Sequence, residues 1–407
     1  MTTIQRYTAE GGSAVEAEAR RITAAIADVA QATVPARALR ALVLLGGYGR
    51  GEGGVEVRGG RECLHNNLDL LLILNAARGS DHAAIATAFE RALDPIRADA
   101  GVGIDVGLIT ARQLRRAPCL VMWYDMHHGH RTLAGDAAFV PALTRFRADR
   151  IVRSDLRNLL VNRATLLTLN DFLLDARPGD PAIRRAVIRH AMKAIIGYGD
   201  ALLAANRAYH WSYREKQRRI TTLDAPSDFK RLHALASEFR FVPTYDRWLS
   251  ADLAAWMEEL RVIVEPIHRK FEAWRLRRPL PDWSAYWPAA VRHSAIADVR
   301  ARAAARRAWD IVRHRSGDFR PHLSRAERAL WHWIGLRELL PLVAPTVLYD
   351  LQDGGARSRA TAILAADTED IRALRRGYLA CWGRVGDPNF AAALDRFAIT
   401  LHTRKAA

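Results

Sequence analysis

Over the first 140 positions of this chain, apolar residues alternate between short unbroken runs and stretches at helical spacing; from about Pro141 onward only the helical spacing remains. Residues 1 to about 12 show no pattern and read as a frayed tail. Ser13 then suits an N-cap, with Glu16 completing a capping box, and Val15, Ala19, Ile22, Ile26 and Val29 mark one face of a helix reaching about Ala32. Ala38 to Leu45, Leu68 to Leu74 and Gly103 to Ile109 read as strands. A turn and cap at Gly79-Ser80-Asp81 opens a helix over His82 to Ala98. Leu120 to Asp125 fits a short helix or a strand.

The remainder predicts helices over Asp155–Leu174, Ala182–Tyr209, Asp228–Arg240 and Trp248–Leu276. In the second of these, Ile188, Ala191, Ile195, Tyr198 and Leu202 form a core stripe, while Lys193, Gly197, Asp200 and Ala204 follow another face. The prolines of Arg277-Arg278-Pro279-Leu280-Pro281-Asp282-Trp283 make the clearest linker. Beyond it, from Trp287, Pro321, Pro341, Pro345, Gly354-Gly355 and Asp387-Pro388 punctuate a last helical segment, whose Trp309, Trp331, Trp333 and Trp382 read as core aromatics. The pattern predicts an α+β fold, with a mixed-sheet domain over residues 1–140, a helical domain over 141–278 and a C-terminal helical extension over 279–407.

Candidate chemistry gathers between Ala41 and Leu74, where two apolar runs bracket a glycine-rich turn. Gly46, Gly47, Gly49, Gly51 and Gly53 let the main chain approach a ligand closely, and successive N–H groups suit phosphate oxygens, although a tight turn explains the same glycines. Asn67 and Asp69 share one face of a strand by its period of two. Asp105 adds an acid within the third apolar run, a costly placement unless it is paired or metal-bound. Arg50 suits a phosphate or the surface. Glu52 either folds inward or is solvated.

An apolar strand ending in Gly46-Gly47, an acid at Asp69 heading the next strand and a third-strand acid at Asp105 resemble the nucleotidyltransferase superfamily that includes DNA polymerase beta, kanamycin nucleotidyltransferase and the CCA-adding enzymes. The resemblance spans roughly residues 35 to 137. Arg131-Thr132-Leu133-Ala134-Gly135-Asp136 resembles that domain's closing strand and turn, and Gly53 to His65 looks like a loop insertion. The family's first acid is replaced here by Asn67, which removes about one charge of compensation for a triphosphate. The resemblance implies that Gly46 and Gly47 cradle the triphosphate of ATP or another nucleotide. It also implies that Asp69, Asn67 and Asp105 ligate Mg2+, with Asp69 and Asp105 catalytic and Asn67 a weak ligand in the first acid's place. By the same resemblance Lys193 touches a phosphate and Asp200 the acceptor; a surface Lys193–Asp200 pair is the plainer alternative.

The expected reaction is therefore transfer of a nucleoside monophosphate to an unidentified acceptor. A catalytically silent nucleotide-binding or scaffold protein is the alternative that Asn67 raises, and nucleotide addition to RNA a third. The net charge of +17 bears on the last. Residues 1–150 hold 18 Arg and no Lys against 16 acidic residues, so the positive field belongs to the rest of the chain, where no aromatic-interleaved basic motif selects nucleic acid. Trp211 to Arg219 is basic and aromatic-flanked, suiting a cleft lining or a solvated helix end. A small-molecule or protein acceptor is favoured over RNA. Apolar runs fall short of the ~18 residues that span a bilayer, no secretory leader is recognisable, and Cys63, Cys119 and Cys381 lack metal spacing. A cytoplasmic protein without a membrane partner is expected. His127-His128-Gly129-His130 is read as a turn in preference to a metal site.

Overall fold

The computed structural model describes residues 6–75, 82–296, 325–399 and 401. It divides into two compact units, one of Met1–Asp155 with Arg207–Ala225 and Lys230–Thr244, the other of Leu156–Asn206, Pro226–Phe229 and Tyr245–Ala407. Three segments assigned by sequence to the helical domain, 141–155, Arg207–Ala225 and Lys230–Thr244, thus belong with the sheet, and no division falls at 278.

The first unit begins with helix α1 (Ser13–Thr33), which buries Val15, Ala19, Ile22, Ile26 and Ala30. Its partner is a four-stranded sheet in the order β5-β4-β1-β6, made of β1 (Leu39–Leu44), β4 (Leu68–Leu74), β5 (Ile104–Thr110) and β6 (Arg131–Gly135). β1 runs antiparallel to β4 and β6, whereas β4 and β5 are parallel. Alternate residues Leu68, Leu70, Leu72 and Leu74 join Leu42 and Leu44 in one apolar cluster with α1 and with Phe89 of helix α3 (His82–Ala92). Between β1 and β4 lie the four-residue helix α2 (Gly46–Gly49) and a two-stranded hairpin, β2 (Val55–Arg58) and β3 (Arg61–Leu64).

Several expectations need correction. Residues 6–12 are no frayed tail: Tyr7 is buried, Thr8 bridges to Gly53, and Tyr7 and Thr8 donate backbone N–H groups to the Glu16 carboxylate. That use of Glu16 replaces the capping box, and the Gly12 cap carries no side-chain bond. The supposed loop insertion is the β2–β3 hairpin, turned at Gly59-Gly60 with both residues at positive φ. Asp94-Pro95 ends α3 and starts a separate helix α4 (Asp94–Asp99), because proline cannot continue the hydrogen-bond ladder. The turn proposed at Gly79-Ser80-Asp81 lies outside the described residues. Helix α5 (Ala111–Arg116) leaves β5 through a complete capping box at Thr110 and Gln113, and Leu120–Asp125 resolves as part of helix α6 (Val121–His128).

The second unit is helical throughout its described residues. It holds helix α7 (Arg153–Ala176) from Leu156 onward, helix α8 (Pro181–Ala205), helices α11 (Asp246–Leu249), α12 (Leu253–Leu276) and α13 (Tyr286–Ile296), and later helices from Arg325 to Arg396. The stripe expected on α8 is buried at every position named. The first unit claims the two helices between α8 and α11: α9 (Tyr213–Thr222) entirely, and α10 (Ser227–Phe241) from Lys230 onward. Pro341 and Pro345 do not punctuate: both lie inside the helix Leu336–Tyr349, whose run from Leu339 to Leu348 is buried, so packing compensates the hydrogen bonds that proline forgoes. Nor does the proline-rich stretch after α12 separate two bodies. Leu280 is buried, and the Trp283 indole N–H donates to Glu265 of α12 at 2.5 Å. Trp331 and Trp382 are core aromatics, Trp333 is half-buried, and Trp309 lies outside the described residues.

Histidines in both units couple folding to pH, His233 and His268 among them. His233 Nδ1 sits 2.6 Å from Gln217 Oε1, and His268 Nδ1 2.8 Å from the Tyr349 hydroxyl. Burial holds His233 down at about 3 and His268 at about 4. Each therefore stays neutral in the folded chain at pH values where the unfolded chain, with its histidines near 6.5, binds a proton. Stability is fully present above about pH 6.5 and falls as pH drops toward 4, by about 1.4 kcal/mol per pH unit per histidine. Urea unfolding midpoints between pH 7.5 and 4.5 should shift accordingly, and His268→Gln should reduce the dependence by one histidine's share, leaving that of His233.

Candidate functional site

β4 and β5 pair in parallel with Asp69 directly across from Asp105. The Leu68 N–H donates to the Gly103 carbonyl at 2.8 Å and sets this register. Neighbouring strands lie about 4.8 Å apart and register partners share a face, so the two carboxylates stand side by side. Both are exposed, as is Asn67 just before β4. Asn67 Nδ2 donates to Asp105 Oδ2 at 2.9 Å. The cost foreseen for a buried Asp105 does not arise, because β5 is the edge strand and its acid meets solvent.

Gly46 completes the group. It follows β1 at φ +64°, a conformation that side chains disfavour, and a Cβ there would overlap the Asp69 carboxylate. The Leu45 N–H donates to the Asp69 carbonyl at 2.7 Å, which ties the turn to the acid's own backbone. Gly46, Asn67, Asp69 and Asp105 are thus brought together. The turn is pinned from behind by Tyr48, whose buried hydroxyl donates to the Gly54 carbonyl at 2.8 Å and accepts from the His65 N–H at 2.9 Å. Burial pushes the Tyr48 phenol up to about 12. Gly49 and Gly53 serve packing within the turn, since side chains there would strike the Leu44 carbonyl and the Tyr48 ring.

Arg50 and Glu52 point elsewhere. The Arg50 guanidinium donates to the Gly46 and Trp211 carbonyls at 3.0 and 2.7 Å, pairs with Asp125 at 3.4 Å and lies 4.8 Å from the centre of the Tyr213 ring. Burial opposes its charge, but Tyr213 and Asp125 more than offset that and raise its pKa. Glu52 is neither solvated nor turned to a metal. Buried to 6% exposure, it accepts from Ser212 Oγ at 2.5 Å and from the Tyr213 N–H at 2.8 Å, capping the start of α9. The basic stretch of α9 follows from this cap. Lys216 is buried there, with Nζ 3.2 Å from the Tyr209 hydroxyl.

Lys193 belongs to the second unit, exposed on α8, where Asp200 is buried. Of the clustered histidines, His127 and His128 close α6, and His127 Nδ1 lies 3.1 Å from the Val140 carbonyl oxygen. Among the described residues no group of three or more His, Cys, Asp or Glu side chains is placed to hold a metal ion.

No family model, curated protein or solved structure matches this chain.

Arg240, near the end of α10, carries no sequence motif, yet it reaches the glycine turn. Its Nη2 is 3.1 Å from where a Cβ on Gly47 would sit, and its guanidinium carbon is 4.1 Å from the Tyr213 ring centre.

Glu52→Ala should leave the Ser212 hydroxyl and the Tyr213 N–H without an acceptor and cost about 1–3 kcal/mol in urea unfolding. Gly46→Ala should destabilise by a similar amount and, unlike Glu52→Ala, move the Asp69 backbone resonances in an NMR spectrum.

Proposed function

We propose that the first unit is a nucleotidyltransferase, moving a nucleoside monophosphate from a nucleoside triphosphate such as ATP to an unidentified acceptor with release of pyrophosphate. The observation that carries this reading is the side-by-side register of Asp69 and Asp105, next to a glycine turn that opens on the Asp69 carboxylate. Two accessible carboxylates and an amide oxygen form an oxygen-only donor set, which fits one Mg2+ completed by water and phosphate oxygens. Asp69 and Asp105 would hold that ion, and Asn67 would stand beside it as a neutral, weak ligand. Bound there, the ion supplies charge compensation to the triphosphate and polarises the acceptor oxygen. The chain's own part is to orient. The Gly46-Gly47 backbone would seat the phosphates, Asp69 would face their metal-bearing side, and Asp105 would either share the ion or accept the proton of an acceptor hydroxyl.

A second reading is favoured by one contact. The Asn67 amide already engages an Asp105 oxygen, so the pair of acids is partly satisfied without a cation. On that reading the site binds nucleotide and does not turn it over.

Titration of the purified chain with ATP, with and without Mg2+, alongside pyrophosphate release across a panel of acceptors, separates the two. Under the transferase reading, Asp69→Asn lowers turnover by 100-fold or more, on the order of the loss of a directly engaged charged group, and Asn67→Asp tightens Mg2+ binding. Release unchanged in Asp69→Asn would remove the assignment. Mg2+-dependent ATP binding with no release from any acceptor favours the silent protein.

A further inference from the structure

Adjacent glycines at the turn face opposite charges. The space beside Gly46 is filled by the Asp69 carboxylate, and the space beside Gly47 is shared by the Arg240 guanidinium with the Glu52 carbonyl oxygen and the Gly53 Cα. Among the described residues no carboxylate lies within ion-pair distance of Arg240, and its Nε is buried without a hydrogen-bond partner. Neighbouring Arg50 differs, being paired with Asp125 and bonded to two carbonyls. Stacking on Tyr213 holds the Arg240 fork in a fixed plane, which lowers the entropy lost when it grips an anion. A metal-bearing polyphosphate laid along this turn would meet Asp69 with its cation and Arg240 with its free end.

We infer that Arg240 is the cation that grips the polyphosphate end of the substrate at Gly47, and so selects a nucleoside triphosphate over a monophosphate. It also supplies positive charge to the phosphates from the protein, at a site where Asn67 has removed one negative charge from the metal side. The inference rests on the transferase reading above for what occupies the turn.

The test is calorimetric titration of the full chain with sodium tripolyphosphate and with AMP, each in Mg2+ buffer, for the wild type, Arg240→Gln and Arg240→Lys. Loss of a charge-assisted contact should weaken tripolyphosphate binding about 10- to 100-fold in Arg240→Gln. Arg240→Lys, which keeps the charge but lacks the planar fork, should lose several-fold, and AMP affinity should stay the same in all three. If Arg240→Gln does not fold, as judged by thermal unfolding, Arg240→Lys alone decides by the same comparison. Tripolyphosphate affinity unchanged in the folded variants, with binding by the wild type intact, overturns the role of Arg240 and leaves the site reading standing. Failure of the wild type to bind tripolyphosphate overturns both.

Discussion

Asp69 and Asp105 stand together because β4 and β5 run parallel in a register fixed by the Leu68–Gly103 hydrogen bond, and a slip of one residue would turn one of them to the other face. Two like charges so close repel each other, and the protein meets that repulsion with the Asn67 amide donated to Asp105. An acid at position 67 would have added a third negative charge to the same face and required a cation to hold it. The amide instead satisfies part of the Asp105 carboxylate without adding charge.

Much of this architecture is legible in residue spacing. The stripes of α1 and α8 are buried where the 3.6-residue period puts them, and the alternation around Asn67-Leu68-Asp69 separates exposed from buried positions as a strand requires. The hairpin was legible too, since Val55-Glu56-Val57-Arg58 alternates and Gly59-Gly60 follows, a turn signal of known type. Reading those glycines together with the turn before them hides it. What spacing could not carry is the use of Arg50, Glu52 and Arg240. Arg50 and Glu52 meet Trp211 and Ser212 about 160 residues along the chain, and nothing local to either partner marks the other. The edge position of β5 is likewise a property of the sheet order, so the apolar run around Asp105 overstates its burial.

In the second unit the polar groups follow a different logic. Glu272 and Arg275 are fully buried on α12, bonded to each other at 2.7 to 3.0 Å, and Tyr198, Tyr349 and His268 form a hydrogen-bonded row with distances of 2.7 and 2.8 Å. Such networks stabilise only when complete, which makes these helices less tolerant of single polar substitutions than their leucine-rich sequence suggests.

The Glu52 cap on α9 has a consequence for how the protein is made. The first unit is discontinuous, and when the ribosome has released residues up to Asp155, Glu52 and Arg50 still lack Ser212 and Trp211. Roughly 90 further residues must follow before the unit can close at Thr244, about 5 to 20 seconds at ordinary elongation rates. During that interval the sheet's glycine turn carries charges destined for burial with nothing yet to bury them against, and the nascent chain must hold open a site that only its later helices can finish.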